Sequence, residues 1–141
     1  MLKMRHPTPE LVARAGQVLA RPTSASPIHI REVTYAERTM DARNWPDTVS
    51  VVMQTFRIGG LGIAAVPFKT FTETGLEIKA KSPFNDTFKI ELANGSYGHL
   101  PTPDQHELGG YERGLGTNRV AQEASRKIVA RPMELFQSVK R

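Results

Sequence analysis

Between residues 94 and 112 the sequence reads NGSYGHLPTPDQHELGGYE. His99, His106, Tyr97, Tyr111, Asp104, Glu107 and Glu112 put metal-ligating, acid–base and hydroxyl groups into one Gly- and Pro-rich stretch. Such a mixture is either a site or a surface loop. His99 and His106 are seven residues apart, a spacing that a helix would place on one face. Pro101 and Pro103 argue against a regular helix there. His106-Glu107 is not followed by the second histidine of a zincin motif. Ser96, His106 and Asp104 supply the residue types of a hydrolytic triad, but nothing around Ser96 reads as a nucleophile elbow. His6 and His29 lie apart in polar surroundings. No self-contained metal site is predicted. The chain has no cysteine, so thiol chemistry and a disulfide framework are excluded.

Other patterns read as structure. Gly59-Gly60-Leu61-Gly62 lies between two strand-like runs and does not open a helix, so it is turn chemistry and not a dinucleotide fingerprint. Gly114-Leu115-Gly116 precedes a helical pattern but lacks the lysine of a phosphate loop. Lys69, Glu73, Glu77 and Lys81 recur every four residues and read as a salt-linked exposed helix stripe.

The elements that must position these residues follow from periodicity. Thr8-Pro9-Glu10 predicts a helix start, with a capping hydroxyl, a proline at the first helical position and an acid at the positive end of the dipole. Leu11, Ala15, Val18 and Leu19 form its apolar stripe. RPTSASP, 21–27, reads as a linker. A second helix is predicted over 32–43. TVSVVMQTFRI and LGIAAVPF flank Gly59-Gly60 and predict a hairpin with a type I′ turn. LGIAAV is apolar or small on both faces and predicts a strand covered on both sides. A helix is predicted over 68–81, with Gly75 packed closely on a sheet. TFKIEL, 87–92, alternates and predicts a half-buried strand with Phe88, Ile90 and Leu92 on one face. Residues 119–141 predict a final helix that Pro132 should kink or interrupt. The expected class is α/β, or α+β layered: a small mixed sheet with a Gly-Gly hairpin, packed against helices.

At 141 residues a single domain over 1–141 is expected, with a composition of 39% hydrophobic and 23% charged that is ordinary for a globular chain. The net charge of +5 raises nucleic acid as a partner. The cations are spread along the chain without aromatic interleaving, so a solvated basic surface is preferred. The C-terminal segment is the most basic, but Glu123, Glu134 and the break at Pro132 weaken a lipid-surface reading. No apolar run reaches the roughly 20 residues of a membrane span. MLKMRHPTPE has no apolar core of a signal peptide, which sets a cytoplasmic expectation.

From QTFRIGGLGIAAVPF through FTETGLEIKAKSPF to IELANGSYGHLPTPDQHELGGYE, the chain resembles the neutral/alkaline ceramidase family, in particular bacterial ceramidase-like hydrolases. The resemblance covers roughly residues 28–130, is strongest over 54–112, and matches the C-terminal half of that family's catalytic domain. It implies a zinc amidase fold, with two histidines, a glutamate and a tyrosine on a metal that lowers the pKa of its bound water. The two histidines belong to the family's N-terminal half, outside this sequence. The glutamate position is Lys69, in VPFKTF, and a protonated ammonium cannot ligate zinc. Glu73, one turn on, belongs to the helix itself. The tyrosine falls at Ser96 or Tyr97. Tyr111, in GGYE, is similar to a second tyrosine near the substrate pocket, and Asn94-Gly95 to the turn before the loop. The resemblance thus implies a candidate pocket of Lys69, Asn94, Ser96, Tyr97, His99 and Tyr111, no bound zinc or other cofactor, and no hydrolysis by this chain alone. The alternative is a binding or assembly module: a homo-oligomer, or a partner supplying the other half in trans, using the sheet face that half would cover. A lipid or amide is the ligand class implied.

Overall fold

The computed structural model describes residues 1–22, 26, 27 and 29–140. Three of the seven linker residues expected over 21–27, at 23–25, lie outside the described residues. A short strand β1 (Leu2–Lys3) pairs antiparallel with β2 (Thr48–Val49). Between them stands a helical hairpin of α1 (Pro9–Leu19) and α2 (Glu32–Ala42). Thr8 caps α1 as expected, its hydroxyl accepting from the Leu11 N–H at 3.3 Å, with Pro9 in the first turn. Ala15 and Val18 of α1 meet Ala36 of α2, with Met40 beside them.

The Gly-Gly hairpin is present. β3 (Gln54–Ile58) runs antiparallel to β4 (Leu61–Ala65) across a two-residue loop. Only Gly59 of the two has positive φ, at 60°, so the turn follows the II′ pattern and not the expected I′. β6 (Asp86–Ile90) adds parallel to β4, giving the order β3-β4-β6 with β4 in the middle. Residues 62–65 of the central strand β4 are buried, as its composition predicts; on the face away from the helices Ile63 and Ala65 lie between side chains of the outer strands, and only those outer side chains are exposed.

The crossover from β4 to β6 corrects one expectation. The helix predicted from residue 68 begins at 72: α3 spans Thr72–Lys81. Phe68 is fully buried, and Lys69–Thr70 form a short strand, β5, that pairs parallel with β7 (His99–Leu100). The Lys69–Lys81 stripe therefore does not exist as one helix face. Its surviving pair is Glu77–Lys81, at 2.5 Å. Gly75 does pack against β6, and its missing side chain leaves room for the Lys89 stem, 3.4 Å from where a Cβ would stand.

The apolar alternation of β6 is real but faces the other way. Registered partners share a face, so Phe56, Ile63 and Phe88 form one row and Ala65 and Ile90 another. The opposite face carries Gly62, Ala64 and Lys89. There Ala64 packs with Ile78 of α3 and with Val129 and Phe136 of the last helix. A Cβ at Gly62 would lie 2.7 Å from Phe84 Cδ2, so small residues let the covering groups approach closely. Both helices lie on the small-residue side, leaving Phe56, Ile58, Phe88 and Ile90 exposed at 46%, 66%, 40% and 43%.

Two further expectations change. Residues 103–108 form a helix, α4 (Pro103–Leu108), despite the prolines. Thr102 caps it, accepting from Gln105 N–H at 3.3 Å, and Pro103 stands in the first turn where its missing N–H costs nothing. The last helix, α5, spans Ala124–Val139 and starts later than 119. Residues before it are held by the N-terminal segment: Arg5 N–H donates to Arg119 C=O and Ala121 N–H to Lys3 C=O, both at 2.9 Å. Pro132 is buried inside α5, which continues past it to Val139. The largest core joins Leu2, Met4, Val66, Phe68, Leu100, Val120, Ala124 and Ile128. The class is the expected layered α+β, with three small sheets of which β3-β4-β6 is mixed. No helix among the described residues is long and apolar enough to cross a membrane.

Candidate functional site

The parallel pairing of β5 and β7 sets Lys69 beside His99. Lys69 N–H donates to Gly98 C=O at 3.0 Å, and His99 N–H to Thr117 C=O at 2.9 Å, which fixes both backbones. Gly98 has φ 88°, and a Cβ there would lie 2.4 Å from Thr117 O. Only glycine fits this approach of the loop to its own continuation. Asn118, fully buried, donates from Nδ2 to His99 C=O at 3.2 Å and accepts from Arg5 on Oδ1, also at 3.2 Å.

Tyr111 begins a short 3-10 turn, Tyr111–Arg113, and its ring meets the His99 ring edge-on, centroids 5.7 Å apart. Hydrogen bonds from Arg38 and Thr117 hold its phenol below the usual range, burial opposes them weakly, and the charges of Arg38 and Arg31 add to the lowering. Arg38 also donates to Thr117 Oγ1 at 3.2 Å. The His99 imidazole is held below its ordinary pKa, first by burial and then by the Lys69 ammonium, against Glu112 and Glu91.

The expected pocket is thus only partly assembled. Lys69, His99 and Tyr111 come together. Tyr97 turns inward: its ring packs on Phe68, with centroids 5.8 Å apart, and its hydroxyl donates to Ser50 C=O at 3.4 Å. Asn94, with φ 64°, shapes the turn, and both it and Ser96 are exposed. His106 sits on α4 with Nε2 buried and unpartnered, so that nitrogen bonds to neither Ser96 nor Asp104.

The carboxylates near the site are engaged. Glu91 accepts from the Thr70 N–H at 3.0 Å, the Thr70 hydroxyl at 2.6 Å and Lys89 Nζ at 2.5 Å, while Lys89 also donates to Thr70 Oγ1. Burial would raise the Glu91 pKa, but the bonds from Lys89 and Thr70 and the Lys89 charge outweigh it and leave it lowered. Glu73 accepts from Gln105 Nε2 at 2.8 Å, toward α4. Among the described residues no group of three or more His, Asp or Glu side chains is arranged to hold a metal. Arg38, Thr117 and the Thr70–Lys89–Glu91 cluster had no sequence signal as site residues. Lys89 and Glu91 were legible only as the polar positions of an alternating strand.

No protein-family model matches the chain, and no curated protein matches it. Solved structures do. A ceramidase complexed with C2 superposes with TM-score 0.58 at 17% identity, over 87% of this chain and 21% of its own. The neutral ceramidase from Pseudomonas aeruginosa gives TM-score 0.55 at 16% identity, over 98% of this chain and 24% of its own. The chain spans a quarter or less of the length of these structures. Its fold is that of a segment of a neutral ceramidase.

Proposed function

We propose that this chain is a unit of ceramidase-like fold that carries no zinc hydrolase activity of its own and works by assembly, pairing with a second copy through the uncovered face of β3-β4-β6. The observation that carries the assembly reading is that face. At their fractional exposures, Phe56, Ile58, Phe88 and Ile90 present on the order of 400 Å² of apolar surface. A patch of that size lies within the roughly 300–600 Å² of the largest apolar patch on an ordinary monomer, where such patches are often functional, and it would form the apolar centre of a standard interface of about 800 Å² per partner. Both outer strands, β3 and β6, contribute to it, so a twofold arrangement can bury equivalent rows against each other.

The non-hydrolytic part rests on charge. Lys69 occupies the position where the resemblance calls for an anionic ligand, and its ammonium already bears on His99. Glu91 accepts from Lys89 and Thr70 on Oε1, and Glu73 accepts from Gln105. These residues do not fit a zinc ion, because a divalent cation would meet an ammonium and compete for carboxylates already paired. A lipid or amide ligand enters this reading only through the likeness to ceramidases.

Light scattering on the purified chain across the micromolar range tests assembly. A dimer that Phe88→Asp converts to a monomer of unchanged melting temperature is expected, and a monodisperse wild-type monomer rejects the reading. Tight stoichiometric zinc together with turnover of a fluorescent N-acyl amide would reject the non-hydrolytic part. A partner supplying the rest of the domain in trans would instead appear as amide hydrolysis only in a mixture of the two chains.

A further inference from the structure

A cleft of about 600 Å³ opens between the starts of α3, α4 and α5, away from the Lys69–His99–Tyr111 cluster. Two of its lining residues, Thr74 and Ser125, are 1% and 3% exposed, and neither hydroxyl has a hydrogen-bond partner. Ser and Thr near a helix start ordinarily bond to nearby backbone groups, and an unsatisfied buried hydroxyl costs about 1–3 kcal/mol. Two of them, from different helices, lie at one cleft.

The charges around them are divided by side. Glu73 and Asp104, in the first turns of α3 and α4, line the cleft; neither forms an ion pair among the described residues, and Glu73 Oε1 accepts from the neutral Gln105 amide, so its charge is not neutralised. Glu77 is closed off by Lys81. On the other side, α5 has no acid in its first turn, and its N-cap residue Glu123 makes no capping bond. That turn instead holds Ser125 and Arg126, so the positive end of a sixteen-residue helix and a guanidinium stand together there. One wall therefore suits an ammonium and the other a carboxylate, with two hydroxyls to complete the hydrogen bonding of either.

We propose that this cleft binds a small zwitterion, with its ammonium toward Glu73 and Asp104 and its carboxylate toward Ser125 and Arg126. The volume lies within the ordinary range for a small-molecule site. Thr74 supplies a further hydroxyl from α3.

Titration of the intact protein with glycine, β-alanine and 4-aminobutyrate, followed by heteronuclear NMR, tests this. Expected are saturable shifts at the amides of residues 73–75, 104–105 and 125–126 with at least one of the three. Propylamine and propionate, each carrying half of the charge pattern, should bind at least about tenfold more weakly. Glu73→Gln with Asp104→Asn should lose the binding, and so should Ser125→Ala with Arg126→Gln. Arg126→Gln alone changes an exposed charge and keeps the test open if a double variant does not fold. No saturable shift with any zwitterion, equal binding of the amine alone, or unchanged binding by variants that melt like the parent would overturn the proposal.

Discussion

Lys69 and His99 face each other across the shortest parallel pair in the fold, so a change at one is read at the other. Burial and the Lys69 charge both favour the neutral imidazole of His99. Lys69→Glu should therefore raise the His99 pKa while leaving that of His106 in place, as NMR titration of the ring protons would show. An unmoved His99 would separate the two side chains. His106 is also depressed, by burial first and then by Arg5 and Arg113, against Glu123. For a histidine whose folded pKa lies below its unfolded value of 6.5, the stability contribution is fully present above that value and lost as pH falls below it. The denaturation midpoint should thus drop from about pH 7 to about pH 5, since the unfolded chain takes up protons that the folded chain resists. Glu91, depressed despite its burial, adds a loss of the same sign at lower pH. A midpoint that stays level over the upper window would show that neither imidazole is perturbed.

Elements of the fold make sharper mutational contrasts. Gly98→Ala puts a Cβ against Thr117 O at positive φ and should cost about 3 kcal/mol in chemical denaturation. Gly60→Ala, in the hairpin turn, meets nothing within 4 Å and has no positive φ, so it should change stability little. Thr8→Ala and Thr102→Ala each remove a helix cap and should cost about 1 kcal/mol. The second of these helices was hidden in the sequence by its own prolines. Thr102-Pro103-Asp104 repeats the pattern of Thr8-Pro9-Glu10, but six residues give no periodicity to support it. The hairpin, the buried β4 strand and α1 were legible because turn glycines, two-sided apolarity and a cap are local signals. The start of α3 was not, because Phe68 and Phe71 have helical spacing while tertiary pairing with β7 draws residues 69 and 70 into a strand. Of the candidate site, Lys69, His99 and Tyr111 were legible as chemistry-bearing residues. The inward turn of Tyr97 depends on contacts with Phe68 and Ser50, which lie far off in the sequence or across the core.

At the scale of the whole molecule, the alternation of β6 shows that a period of two separates the faces of a sheet without saying which face the helices take. Gly62 and Ala64 decide it, by admitting α3 and α5 on the small-residue side and leaving the large side chains outward. The result is a chain whose fold is like a segment of a longer ceramidase chain and whose outer strands present exposed apolar side chains. Sedimentation velocity across the micromolar range, comparing the wild type with Phe88→Asp, tests the assembly claim most directly. The account predicts a concentration-dependent dimer for the wild type and a monomer of equal thermal stability for the variant. A wild type that sediments as a monomer throughout would contradict it.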